Sequence, residues 1–260
     1  MTRGLWTRET VVIMLLAAYL QLALFWLWFG GIEEVQRFAL AALILAIWQL
    51  VFLLARAQPV SLSAVITALA IAMLAPEGLG PVRLILGISF GAVMGELVFG
   101  GWGRNVVNPA TVALSFLGFG FPGFAWPEIL LPVAWAAIPA AAIGIATGVL
   151  PAGIIVSATL GASGAVALGV LPASALPAAG VVLVLLVADP VTSATTMLGR
   201  WLNGLLYLAL VILFATGWHD AAPVQFAVAA ALLTSLAAPV LDELALALWY
   251  AQRRRRHGRS

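Results

Sequence analysis

The chain has 260 residues, 64% hydrophobic and only 8% charged. Water-soluble domains run near half apolar and a quarter charged, so too little polar side chain is present here to cover a globule in water, and a soluble fold is excluded. The formal charge of +2 comes from twelve arginines, five of them after residue 252, so it marks a basic tail and not a nucleic-acid surface.

There is no cysteine, which excludes disulfides, Cys-ligated zinc and iron–sulfur clusters held by this chain alone. The two histidines, His219 and His257, speak against a multi-histidine haem or metal site. The apolar stretches are continuous and not alternating, so they predict membrane helices, in which each backbone group is satisfied within its own segment, and not an outer-membrane barrel.

In chain order the segments fall near 11–29, 38–55, 62–75, 82–99, 109–121, 129–149, 152–170, 176–188, 198–218 and 223–241. The first follows Arg3 and Arg8 and ends in Trp26 and Trp28. It is too long for a signal-peptide core and reads as a membrane helix. A cytoplasmic N-terminus puts Arg3, Arg8, Arg56, Arg104, Arg200 and the tail arginines inside, and only Arg37 and Arg83 outside. An even number of crossings is therefore expected, with both termini cytoplasmic in a bacterial inner membrane. Trp201 and Trp218 read with Trp26 and Trp28 as interface belts.

Segments 62–75, 109–121 and 176–188 are short for a crossing, and two of them end at Ala75-Pro76 and Asp189-Pro190, where proline stops a helix. Pro76 and Pro109 are 33 residues apart, as are Pro190 and Pro223, and Gly103 and Gly217 share the same offset of 114. The expected architecture is all-α: a single membrane domain over 1–260 of about ten segments. These form two inverted five-helix repeats, about 11–121 and 129–241, with short broken helices, followed by a basic tail at 242–260. Chance spacing of a few prolines and glycines is the competing reading. Broken helices paired across inverted repeats place a polar site near the midplane.

Two loops carry the candidate chemistry. In Gly95-Glu-Leu-Val-Phe-Gly-Gly-Trp-Gly-Arg-Asn-Val-Val-Asn-Pro-Ala110, Gly100, Gly101 and Gly103 permit unusual dihedrals and close approach. Asn105 and Asn108 offer amides at the mouth of a helix begun by Pro109. In Asp189-Pro-Val-Thr-Ser-Ala-Thr-Thr196 an acid stands beside four hydroxyls between apolar helices. Each loop also reads as a helix cap, by Asn108 and by Asp189 or Thr192. Glu96 reads either as a buried ion ligand or as an interface residue. No catalytic residue and no metal site stand out.

Together, Gly100-Gly101, Asn108-Pro109-Ala110, Asp189-Pro190-Val191-Thr192-Ser193-Ala194-Thr195 and Ala238-Pro239-Val240-Leu241-Asp242 resemble, in order, the motifs of the NqrB/RnfD family. NqrB is a membrane component of the sodium-pumping NADH:quinone reductase, and RnfD is its counterpart in the Rnf ferredoxin:NAD oxidoreductase. The likeness covers about residues 60 to 245. It implies a urea-transporter-like fold of ten helices, partner membrane subunits, and electron transfer with possible cation translocation by a subunit that does not catalyse alone. It also implies a non-covalent flavin, riboflavin or FMN, held by Gly100, Gly101, Gly103, Asn105, Asn108, Asp189, Thr192 and Ser193. The family's Ser-Gly-Ala-Thr site for covalent FMN has no counterpart in Phe121–Glu128, so no covalent FMN is expected. A urea-transporter-like channel, or an anchor for flavinylated partners without redox activity of its own, is the alternative.

Overall fold

A computed structural model describes residues 7–218 and 220–257, with side chains through Arg253. Arg3, His219 and Arg259, and the side chains of Arg254–Arg256 and His257, lie outside the described set. All regular structure among the described residues is helical. The helices are α1 (Arg8–Arg56), α2 (Ser63–Leu74), α3 (Gly80–Gly95), α4 (Pro109–Gly120), α5 (Leu131–Ala146), α6 (Ala152–Ala167), α7 (Leu176–Val182), α8 (Met197–Gly217) and α9 (Pro223–His257). A 3-10 turn at Leu97–Phe99 follows α3, another at Ala173–Ala175 precedes α7, and α7 continues into a π-turn over Leu183–Val187.

The stretches Arg8–Arg56, Gly80–Phe99, Met197–Gly217 and Pro223–Arg253 are long and apolar enough to cross a bilayer; α2, α4, α5, α6 and Ala173–Val187 are apolar but shorter. With 49 residues, α1 has more than twice the ~20 that one crossing needs. It breaks at Gly31, whose φ of 72° and ψ of −155° no helix contains. The expected segments 11–29 and 38–55 are thus the two arms of α1. The expected end at 241 is overrun: α9 continues to His257, because Asp242–Arg256 is rich in helix-forming Ala, Leu, Glu and Arg and holds no Gly or Pro.

The core is built around α2 and α7 with its π-turn. Residues 67–75 and 181–188 are buried without interruption, as expected of helices apolar on every side. Around them, α1 packs on α2, α3 and α5; α3 on α4; α6 on α8; α8 on α9; and α4 meets α9. On α3, Gly87, Gly91 and Gly95 are spaced by one turn and face α4; a Cβ at Gly91 would stand 2.6 Å from the Pro109 carbonyl oxygen. Small residues at this spacing let two helices touch backbone to backbone, and this fixes where α4 begins.

Candidate site where two broken helices meet

After the Leu97–Phe99 turn the chain doubles back through Gly100, Gly101 and Gly103, all at φ between 89° and 103°. The requirement for glycine is sharpest at Gly101, where a Cβ would lie 2.5 Å from Nε2 of Gln58. Asn105 closes this loop on itself: its Oδ1 accepts the Gly103 N–H at 3.1 Å and its Nδ2 donates to the Val107 carbonyl at 3.4 Å. Asn108 then caps α4, its Oδ1 accepting from the N–H groups of Ala110 (2.9 Å) and Thr111 (3.4 Å). This satisfies donors that a helix start leaves free.

In the second turn, Asp189 Oδ1 accepts the Val191 N–H at 2.9 Å, and Oδ2 accepts the Thr192 hydroxyl at 3.2 Å. Asp189, Thr192 and Ser193 are all buried. The turn is tied down at its far end by Asp242 of α9. That carboxylate accepts the backbone N–H and the hydroxyl of both Thr195 and Thr196, at 2.6 to 2.9 Å. Thr196 in turn caps α8, its hydroxyl accepting the Gly199 N–H at 3.0 Å.

The two turns touch. Asn108 Nδ2 donates to Asp189 Oδ2 at 2.9 Å, across 81 residues of sequence. One turn further into the core, the Tyr19 hydroxyl of α1 donates to the Val184 carbonyl in the π-turn at 3.0 Å. A buried carboxylate left alone costs several kcal/mol; three donors meet Asp189 here. Arg8 lies beside Gly103 and Arg104 beside Gly100, while Arg200 Nε donates to the Ala194 carbonyl. Positive charge therefore gathers at the end that carries the turns.

Between the turns lies a cavity of about 20 Å³, bordered by Tyr19, Ser63, Thr67, Trp102, Asn108 and Asp189. At the 114-residue offset, Asp189-Pro190 corresponds to Ala75-Pro76 and Asn108-Pro109 to Ala222-Pro223. The Ala75 carbonyl is met by Arg37, at 2.7 Å. The polar pair therefore occurs at only one of the two breaks.

Residues 3–137 match the sequence model of the NQR2, RnfD, RnfE family. The chain belongs to this family. Among relatives, the NqrB protein of the Na(+)-translocating NADH-quinone reductase of Yersinia pestis is 33% identical over 92 residues, 35% of this chain and 22% of that protein. Those of Neisseria meningitidis serogroup A (32% over 93 residues; 36% and 23%) and Pseudomonas aeruginosa (38% over 74 residues; 28% and 18%) are similar to it. The alignment thus spans about a fifth of the length of these relatives. Within this NQR2/RnfD/RnfE chain the family match includes the Gly-Gly and Asn-Pro-Ala loop and stops before the Asp-Pro turn.

All eight residues assigned to flavin from the motif resemblance sit at or beside the paired turns. As packed, they do not fit the ring between them. Pockets for ligands of that size run ~300–1,000 Å³, whereas about 20 Å³ is room for roughly one water. The amides of Asn105 and Asn108 and the Asp189 carboxylate are already engaged with each other and with the backbone. Sequence reasoning passed over Tyr19 and the tie made by Asp242. The signal for the latter was there: an acid in an apolar helix needs a partner.

Proposed function

We propose that this chain is a membrane component of an Nqr/Rnf-type electron-transport assembly, in which the clasp between Asn108 and Asp189 holds its two halves at a set spacing. The family match supports the assembly, and the direct 2.9 Å bond between the two motif turns carries the role given to the residues. The chain crosses the inner membrane about ten times as two inverted five-segment halves, with both termini cytoplasmic. The break at Gly31, the paired stops before Pro76 and Pro190, and the placement of Arg8, Arg104 and Arg200 at the turn end, away from Arg37, support this arrangement.

Of the three roles read from the sequence, flavin carrier, urea-transporter-like channel or anchor for flavin-bearing partners, the geometry favours the anchor. The deciding observation is the filled, self-satisfied space between the turns. Partner membrane subunits then supply the redox centres, and any coupling to cation movement belongs to the assembly. Chain purified in mild detergent is expected to show no flavin absorbance and to release none on acid precipitation, while pulling down flavin-containing membrane partners from its own host. Stoichiometric flavin released from the wild type, and lost in Asn108→Ala and Asp189→Ala, would restore the carrier reading.

A further inference from the structure

We propose that the second half of the protein holds a lipid acyl chain in a cavity that the first half fills with its own side chains. The cavity measures about 540 Å³ and lies between α5, α6, α7 and α8. It is far larger than the gap between the turns and separate from it.

The 114-residue offset explains why it exists. In the first half, Ile44, Leu45, Trp48, Gln49 and Ile66 fill the corresponding place: Ile44, Leu45 and Gln49 are buried, and the Trp48 indole donates to the Ser89 hydroxyl at 2.8 Å. Their counterparts are Ala158, Thr159, Ala162, Ser163 and Gly180, all of which line the cavity. Each of these five positions has lost volume, so the four helices leave a groove, open beside the exposed Thr159 and Ser163, that side chains do not fill.

The chemistry of the wall selects the occupant. Among the described residues no charged one lines it. Its three hydroxyls are spent on backbone carbonyls: Thr159 on Ile155 at 2.7 Å, Ser163 on Leu160 at 2.8 Å, and Tyr207 on Ala179 at 2.9 Å. A phosphate or a carbonyl inside would find no donor and would carry the penalty of an unpaired buried polar group. A hydrocarbon chain carries none. The mouth opens on the flank of the bundle, where Leu131, Trp135 and Ile138 of α5 are exposed, the side that lipid bathes in a multi-pass protein. The Trp135 indole stands there, as tryptophans do beside lipid headgroups, so a lipid with its tail inside and its polar end at the mouth satisfies both regions.

Native mass spectrometry of the full chain released gently from detergent tests this. The wild type is expected to retain one phospholipid mass. Ala162→Trp and Thr159→Leu, which copy Trp48 and Leu45, are expected to lose it, and Leu160→Trp, on an exposed residue outside the cavity, to keep it. Circular dichroism and gel filtration check that each variant folds, and Thr159→Leu decides if Ala162→Trp does not. A wild type without bound lipid, a lipid that persists in Thr159→Leu, or a bound ring compound in its place overturns the proposal. So does a partner protein whose co-purification is lost in the filled variants while lipid is absent throughout. None of these results bears on the clasp.

Discussion

The Asn108 side chain faces two ways: its oxygen caps α4 and its nitrogen holds the Asp189 carboxylate, 81 residues further along the chain. Removing it therefore has two costs. Loss of an N-cap costs ~0.5–2 kcal/mol, and leaving a buried acceptor short of a donor costs ~1–3 kcal/mol. Asn108→Ala is expected to destabilise by about 2–4 kcal/mol in thermal or denaturant unfolding in detergent. Asn108→Asp keeps the cap acceptor but sets a carboxylate against Asp189, and is expected to fall at or below Asn108→Ala.

Asp242 governs the far end of the same turn. Asn at 242 retains one good acceptor for the four donors of Thr195 and Thr196 and lacks the charge that strengthens these bonds. Asp242→Asn is expected to speed amide exchange at Thr195, Thr196 and Gly199 at least tenfold, equal to ~1.4 kcal/mol, and to leave exchange in α3 and α4 unchanged. Hydrogen–deuterium exchange in nanodiscs reads this directly.

At Gly101 both the backbone and the neighbour resist a side chain. A left-handed φ costs an L-residue ~1–2 kcal/mol, and the new methyl meets Gln58. Gly101→Ala is expected to lower the melting temperature. Adding Gln58→Ala is expected to recover the steric part and not the backbone part, so the double variant falls between the single variant and the wild type.

Asn203 is buried in α8, and neither atom of its amide has a hydrogen-bond partner among the described residues. An unpaired buried amide costs ~1–3 kcal/mol, so Asn203→Val, a branched apolar residue only slightly larger, is expected to raise the melting temperature. A fall would show that the amide is bound by a group outside this chain.

The helical segments were legible because apolar runs of a given length have few other uses in lipid. The convergence of Asn108 and Asp189 was legible for a related reason: polar residues at proline breaks in apolar sequence need partners, and the expected topology sets both loops on the same side. What the sequence hid was satisfaction. Nothing in Asn-Pro-Ala reveals that both amide atoms of Asn108 are used, so a pocket was expected where a closed contact stands. Asp242 is 47 residues from Thr195, too far for any local rule. The continuation of α9 past Leu241 depends on the absence of strong stops, a weaker signal than the presence of one. The cavity at Ala162 becomes readable only when Trp48 is set beside it at the 114-residue offset.

Asn108 and Asp189 act as one contact between the two turns. A double-mutant cycle measures this: unfolding free energies of the wild type, Asn108→Ala, Asp189→Ala and the double variant, in the same detergent. The expected result is a coupling of ~1–3 kcal/mol, with the double variant less damaged than the two single losses together. Additivity within ~0.5 kcal/mol would contradict the clasp and return the two turns to the status of separate helix caps.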